Sequence, residues 1–265
     1  MPSTKHADTA SGGTIRNLDS RRERDRTGLF FVEGLRFVAQ ALTYQAPIQT
    51  VITVPKLLTH PFAQKLLRQL AQRHIPVLEV TPEVFLRHSR AEEAQWIGAV
   101  VAQRWDVLDR IDPCAGLCWL ALDTIHSQGN LGTILRTCDA VGAAGAILLG
   151  PSVDPHDPAC VRATMGAVFT QRLVRTTERE FDIWRRRHGC TLVGTSPHAT
   201  TDYQAASYPR PLIVWMGGEK RGLSPLQQNS CDLMVRLPMV GASDSLNVAI
   251  ASGVMLYEVF NQQRR

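Results

Sequence analysis

The sequence predicts an α/β protein whose C-terminal part is a mostly parallel sheet with helices on both faces, preceded by a small α/β domain. Three observations carry that expectation. Short apolar runs alternate with segments of helical period from residue 117 to residue 265. Three stretches, Gly129 to Gly150, Leu212 to Ser224 and Met234 to Phe260, join an apolar run to a turn rich in small and polar residues. Such turns gather at the carboxyl ends of parallel strands. A piece bearing Asp, Pro, Cys and Gly, 106–116, interrupts the rhythm and reads as a linker.

Residues 1–13 are small and polar, with nothing to bury, and are expected to be a disordered tail. Residues 14–105 form the smaller domain. A helix near Glu33 to Leu42 precedes a β-rich run from Ile48 to Val54. The apolar spacing of Phe62, Leu66, Leu67, Leu70 and Ala71 gives a second helix, followed by the short strand PVLEV. Thr81-Pro82-Glu83 is a capped helix start, and Trp96 to Val101 reads as a strand.

Residues 117–265 follow the same logic on a larger scale. The predicted order is strand CWLALD, a helix from Asn130, strand AILLG, a helix near Ala159 to Val168, and strand RLVR. Helix FDIWRRRH, strands TLVGTS and LIVWMGG, a short helix from Ser224, strand LMVRLP and a closing helix complete it. Val248, Ala251, Val254, Met255 and Phe260 give the closing helix one buried face, and Ser245 and Asn247 are candidates to cap it. Ala249, Ala251, Ser252 and Gly253 keep its first turns thin, which suits close packing on the domain or on a second subunit.

Composition bounds the function. The chain has 265 residues, 44% of them hydrophobic, enough for two ordinary cores. No run approaches the roughly 18–20 apolar residues of a membrane helix, and the polar start lacks a secretory segment, so no membrane association and a cytoplasmic location are expected. The six cysteines are scattered and read as free thiols, with no metal site. No GxGxxG follows the first strand of either domain, and Gly217 to Gly222 lacks the GK[ST] ending of a phosphate loop, which argues against a dehydrogenase or an ATPase. The net charge of +5 suits a polyanionic partner. Arg16, Arg21, Arg22, Arg24 and Arg26 crowd the beginning, and Arg185, Arg186 and Arg187 form a second group.

The motifs are more specific than the composition. Asn130-Leu131-Gly132 with Arg136-Thr137, Gly217-Gly218-Glu219 with Gly222-Leu223-Ser224, and Leu237-Pro238-Met239 with Ser245-Leu246-Asn247-Val248 stand in that order. Together they resemble the three motifs of the SpoU/TrmH family of RNA methyltransferases. Asp157 to Phe169 resembles the family's linking segment, and Gly28 to Leu42 the start of the small substrate-binding domain of many members. Ala249 stands where many members have a second Ser, and His126-Ser127-Gln128 is an uncommon lead-in to the first motif.

The resemblance implies a trefoil-knotted catalytic domain at 117–265, an L30e/L7Ae-like RNA-binding domain at 14–105, and a homodimer with its active site at or near the subunit boundary. It implies S-adenosyl-L-methionine as cofactor, held by backbone groups around Gly217, Gly218, Leu237, Met239 and Leu246, where glycines leave amides and carbonyls unobstructed. The implied reaction is methyl transfer to a ribose 2′-hydroxyl, with rRNA as the expected substrate. A tRNA substrate, methylation of a base atom, and a non-catalytic RNA-binding protein on the same scaffold are the alternatives. Arg136, Asn130, Glu219, Ser245 and Asn247 are the candidate catalytic residues. Arg136 interrupts an apolar helix, and its guanidinium stays protonated, so it fits phosphate binding and alkoxide stabilisation better than proton abstraction. Glu219, after two glycines at a strand end, needs a partner and is expected to orient an arginine or a substrate hydroxyl. Arg16, Arg21, Arg22, Arg24, Arg26 and Arg162 are the candidate RNA phosphate contacts.

Overall fold

The structure, a computed structural model, describes residues 18–264; the expected tail 1–13, Arg16 and Arg265 lie outside the described residues. The chain forms two compact units. One comprises the chain to Gln103 together with His156–Phe169, the other Arg104–Pro155 and the chain from Thr170.

The first unit opens with α1 (Arg21–Thr27), β1 (Leu29–Glu33), α2 (Leu35–Thr43) and β2 (Ile48–Thr53). It continues with α3 (Pro61–Gln72), β3 (Val77–Glu79), α4 (Pro82–Leu86) and β4 (Ile97–Ala102). Its sheet runs β1-β4-β2-β3, with β4 antiparallel to both neighbours and β2 parallel to β3. The helix starts obey local chemistry: His60 and Thr81 cap α3 and α4, each followed by Pro. Two elements escaped the sequence reading. The run before Glu33 is a strand, its alternate residues Phe30 and Val32 buried against Val38, Leu66 and Ile97. The arginine-rich start is the helix α1.

Residues 156–169 also belong to this unit, although the sequence assigned them to the C-terminal domain. The reason is apolar: Val161, Val168 and Phe169 complete the core of β1, α2 and β4.

The second unit contains β5 (Trp119–Asp123), α5 (Gln128–Val141) and β6 (Gly145–Leu149). The helix α6 (Pro158–Thr164) of the first unit follows, and the chain resumes with β7 (Arg172–Thr176), α7 (Glu178–Arg187), β8 (Thr191–Thr195) and β9 (Thr201–Asp202). Strand β10 (Leu212–Met216), helix α8 (Pro225–Ser230), strand β11 (Leu233–Arg236) and helix α9 (Val248–Gln263) complete it. Seven strands pair in parallel in the order β7-β6-β5-β10-β8-β11-β9, the two-residue β9 being an edge the sequence did not predict.

The sheet is apolar on both sides, as a doubly covered parallel sheet must be. Trp119, Ala121, Ile213 and Trp215 pack with Phe181 and Trp184 of α7. Strand alternation turns Leu120, Leu122, Val214 and Met216, also buried, to the other face, where α5 and α9 lie on the sheet and on each other. The thin first turns of α9 serve this packing, with Gly253 lying opposite the methyl group of Thr137.

The stretch 106–116, expected to be a linker, is packed into the second unit. Asp106 pairs with Val174 and with Arg172 at 2.6 Å, and Leu108 and Ile111 enter the core. Among the described residues, no helix is long and apolar enough to cross a membrane, no group of His, Cys, Asp or Glu could hold a metal ion, and all six cysteines are free.

Candidate active site

Strand order positions the site. From the central β5 the chain runs outward through β6 and β7 on one side, and β10, β8 and β11 fill the other. The loops leaving β5 and β10 therefore open side by side at the point where the winding reverses, the usual place for a ligand in such sheets.

The β5–α5 turn is strained. Thr124 has φ 35°, a left-handed conformation that a β-branched residue adopts only when its surroundings impose it. Ser127 then caps α5, its hydroxyl accepting from Asn130 N at 3.3 Å. The β10 loop folds back on itself: Gly222 N donates to Gly218 O at 2.9 Å, and a Cβ at Gly217 would strike the backbone of Gly222 and Leu223. Only glycine permits that closure, which aims Glu219 at the start of α5.

Of the two partners expected for Glu219, an arginine and a substrate hydroxyl, the arginine is absent among the described residues. Its carboxylate accepts from His126 N at 3.2 Å, from Ser127 N at 3.4 Å and from the side-chain amide of Asn130. The positive end of α5 favours an anion there. Asn130 Oδ1 accepts in turn from Asn247 Nδ2 at 3.1 Å, and Asn247 Oδ1 caps α9 by accepting from Ala249 N at 2.9 Å and Ile250 N at 3.4 Å. Three motifs far apart in sequence thus end in one string of hydrogen bonds, and each amide's orientation is fixed by the groups on both sides.

Other expected residues lie differently. Ser245 does not cap α9 but bonds to Asp244 at 3.1 Å, on an exposed loop. Leu237 and Met239 are half-buried and Leu246 exposed on the segment between β11 and α9, while Gly217 is buried beside half-buried Gly218. Arg136 is exposed on α5, and its side chain makes no hydrogen bond or ion pair among the described residues. Six helical positions place it about 9 Å along the axis from Asn130 and on another face, so one chain does not join it to the string.

The arginine clusters divide. Arg24 is buried, donating to Leu18 O at 2.8 Å and Asp19 O at 2.9 Å and pairing with Asp157 at 3.3 Å, which corrects its assignment to RNA contact. Arg26 pairs with Glu23, and Arg21 with Asp25. Arg22 and Arg162 are exposed. Arg185 is buried against Asp182, Asp232 and Ser230 O and is structural, whereas Arg186 and Arg187 are exposed and make surface pairs with Asp182 and Asp109.

Sequence reasoning passed over Gln227 and Asp123. Gln227, half of a capping box with Ser224, also donates from Nε2 to Asp123 Oδ2 at 3.3 Å and Glu178 Oε2 at 3.1 Å. It thereby ties α8 to the end of β5. The Ser-x-x-Gln spacing was the available signal.

Comparison with known proteins bears on the fold and the family. A crystal structure of AdoMet-bound rRNA methyltransferase from Sinorhizobium meliloti is 34% identical, covers 98% of this chain and 97% of that one, and superposes with a TM-score of 0.87. The SpoU methyltransferase AviRb from Streptomyces viridochromogenes is similar at 31% identity, 97% and 98% coverage and a TM-score of 0.85. Fold and site together define an α/β methyltransferase. In sequence, the 23S rRNA (uridine(2479)-2′-O)-methyltransferase of Streptomyces viridochromogenes is 33% identical over 253 residues, 93% of this chain and 87% of that protein. Residues 14–99 match the MRM3-like substrate binding domain and residues 118–257 the SpoU rRNA Methylase family. The chain belongs to the SpoU rRNA Methylase family.

Proposed function

We propose that this protein transfers the methyl group of S-adenosyl-L-methionine to a ribose 2′-hydroxyl of ribosomal RNA in the cytoplasm. The observation that carries the reading is the string from Glu219 through Asn130 to Asn247, because it ties the three family motifs together at the carboxyl edge of the sheet. The residues present fit the cofactor. Gly217 and Gly218 bear no side chain where the loop leaves β10, and Leu246 offers exposed apolar surface next to Asn247. Gly218, Leu237, Met239 and Leu246 would hold it through backbone amides and carbonyls, with Gly217 keeping the loop closed. When bound, it supplies an electrophilic methyl group on a sulfonium centre.

The protein's work is positioning and electrostatics. Asn130 and Asn247, with both amides oriented, and Ser245 place the ribose. Glu219 acts through Asn130 as a positioning residue. Arg136 fixes the adjoining phosphate and stabilises the charge that develops on the 2′-oxygen, while the proton leaves through water or phosphate. Arg21, Arg22, Arg26 and Arg162 add contacts to the RNA backbone, and residues 14–105 serve as the RNA-binding domain.

The working unit in this reading is a homodimer. Ile250 and Tyr257 lie about two turns apart on one side of α9 and are 55% and 49% exposed, and Leu246 and Val240 are exposed on the segment that leads into the helix. A second copy brings the same face, and burying both removes that surface from water. Arg136 then serves the partner's site.

Mapping 2′-O-methyl positions in ribosomal RNA from cells with and without the protein tests the reading. One alkali-resistant linkage is expected to vanish with the protein. An unchanged map would overturn it.

A further inference from the structure

The first unit holds a cavity of about 240 Å³ that plays no part in the methyl-transfer chemistry. We propose that it receives one unpaired nucleotide of the RNA substrate, its base inside and its phosphate at the mouth; the proposal rests on the RNA-methyltransferase reading.

The walls suit a base. Phe31 and Phe37 line the cavity and are only half-buried. Gly98 leaves space for the Phe31 ring, since a Cβ there would strike it, and Gly34, with φ 113°, makes the bend from β1 into α2. Gln95 also lines the cavity and commits only one N–H, to Glu93 O at 3.4 Å, so its other N–H and its carbonyl oxygen can meet a base edge. The volume is below the roughly 300–1,000 Å³ typical of pockets for drug-sized ligands, which favours a single base. Unstacked bases of single-stranded RNA are commonly held on aromatic faces in this way.

The mouth suits a phosphate. Helix α2, nine residues long, starts without a capping side chain or an acidic residue in its first turn, and carries Arg36 there. A cation at the positive end of a helix is unfavourable unless an anion joins it. Arg162 lines the same cavity, and the side chains of Arg36 and Arg162 are exposed and make no hydrogen bond or ion pair among the described residues. The other charged side chains named at the rim are engaged within the protein. Arg90 pairs with Asp19 at 2.5 Å, and Glu33 accepts from Ser89 Oγ at 2.8 Å, Arg90 N at 3.1 Å and Gln95 N at 3.2 Å. Glu33 thereby holds the loop that forms the rim.

Binding of unmethylated 23S rRNA transcript, measured against salt, tests the site with the full-length protein. Replacing both Arg36→Ala and Arg162→Ala is expected to weaken binding at least tenfold and to lower the slope of log K against log salt by about 1.4, two single-strand phosphate contacts. Phe37→Leu, which keeps the apolar packing, is expected to weaken binding about fivefold to tenfold with the slope unchanged. S-adenosylmethionine affinity and Tm should stay at wild-type values in all variants. Wild-type affinity and slope in the double variant, or competition by a fully paired RNA as strong as by the transcript, would overturn the proposal. Methylation of the same transcript by the wild-type protein is scored separately, so a failure of the enzymatic reading is distinguishable from a failure of the pocket.

Discussion

Asn247 donates to Asn130 at 3.1 Å with one end of its amide and caps α9 with the other, so the first motif and the last are positioned by a single side chain. The two roles can be separated. Asp is as good a cap as Asn but cannot donate to Asn130. Asn247→Asp is expected to keep thermal stability within about 0.5 kcal/mol while methyl transfer falls at least tenfold. Asn247→Ala should lose about 1 kcal/mol as well. Calorimetric melting beside single-turnover methylation reads both; equal activity in the Asp variant and the wild type would remove the bond to Asn130 from the mechanism.

Among the described residues the exposed Arg136 side chain has no hydrogen-bond or ion-pair partner, so its removal should leave folding untouched. Arg136→Ala is expected to cost at least a hundredfold in methylation with unchanged Tm and cofactor affinity, and Arg136→Lys to retain part of the rate, because a point charge still reaches phosphate. Mixing Arg136→Ala with Asn130→Ala protein should restore activity if the arginine serves the other copy. Two inactive parents that stay inactive when mixed would confine the arginine to its own site.

The exposed apolar face of α9 makes a direct prediction about assembly. Ile250→Glu combined with Tyr257→Glu should convert a dimer into a folded monomer in sedimentation equilibrium, because both side chains face solvent within one chain. A double variant that still sediments as a dimer places the interface elsewhere.

Arg24 and Arg22, two positions apart, should behave in opposite ways. Arg24→Ala leaves two backbone carbonyls and Asp157 without their donor and is expected to destabilise by about 3 kcal/mol, whereas Arg22→Ala should be neutral. Urea melts distinguish them.

Burial pushes the Cys118 thiol up to about 12 and Cys190 to about 11. A thiol that ionises more easily in the unfolded chain favours unfolding once pH passes its unfolded pKa. Stability should therefore be level below pH ~8.5 and fall above it, by up to about 1.4 kcal/mol per pH unit for each such group, until the folded pKa is reached. Urea melts between pH 7 and 10 check the sign, and a thiol reagent should label exposed Cys114 first.

The alternation of strands and helices in the second unit and most helix starts were legible in the sequence, because periodicity and capping act within a few residues. Arg136 in an apolar helix and Glu219 after two glycines also stood out as polar exceptions and Asn247 as a cap, while the three motifs, and Asn130 with them, rested on the family resemblance. Tertiary structure decided what those residues touch. Glu219 meets backbone amides and Asn130 across 89 positions, and Asn247 meets Asn130 across 117, distances over which no local pattern speaks. The same holds for Arg24 and Arg185, which look like solvated surface charge until Asp157 and Asp232 arrive from remote parts of the chain. Residues 156–169 joined the first unit because apolar side chains pack wherever a complementary core lies nearest in space, and sequence order does not encode that distance.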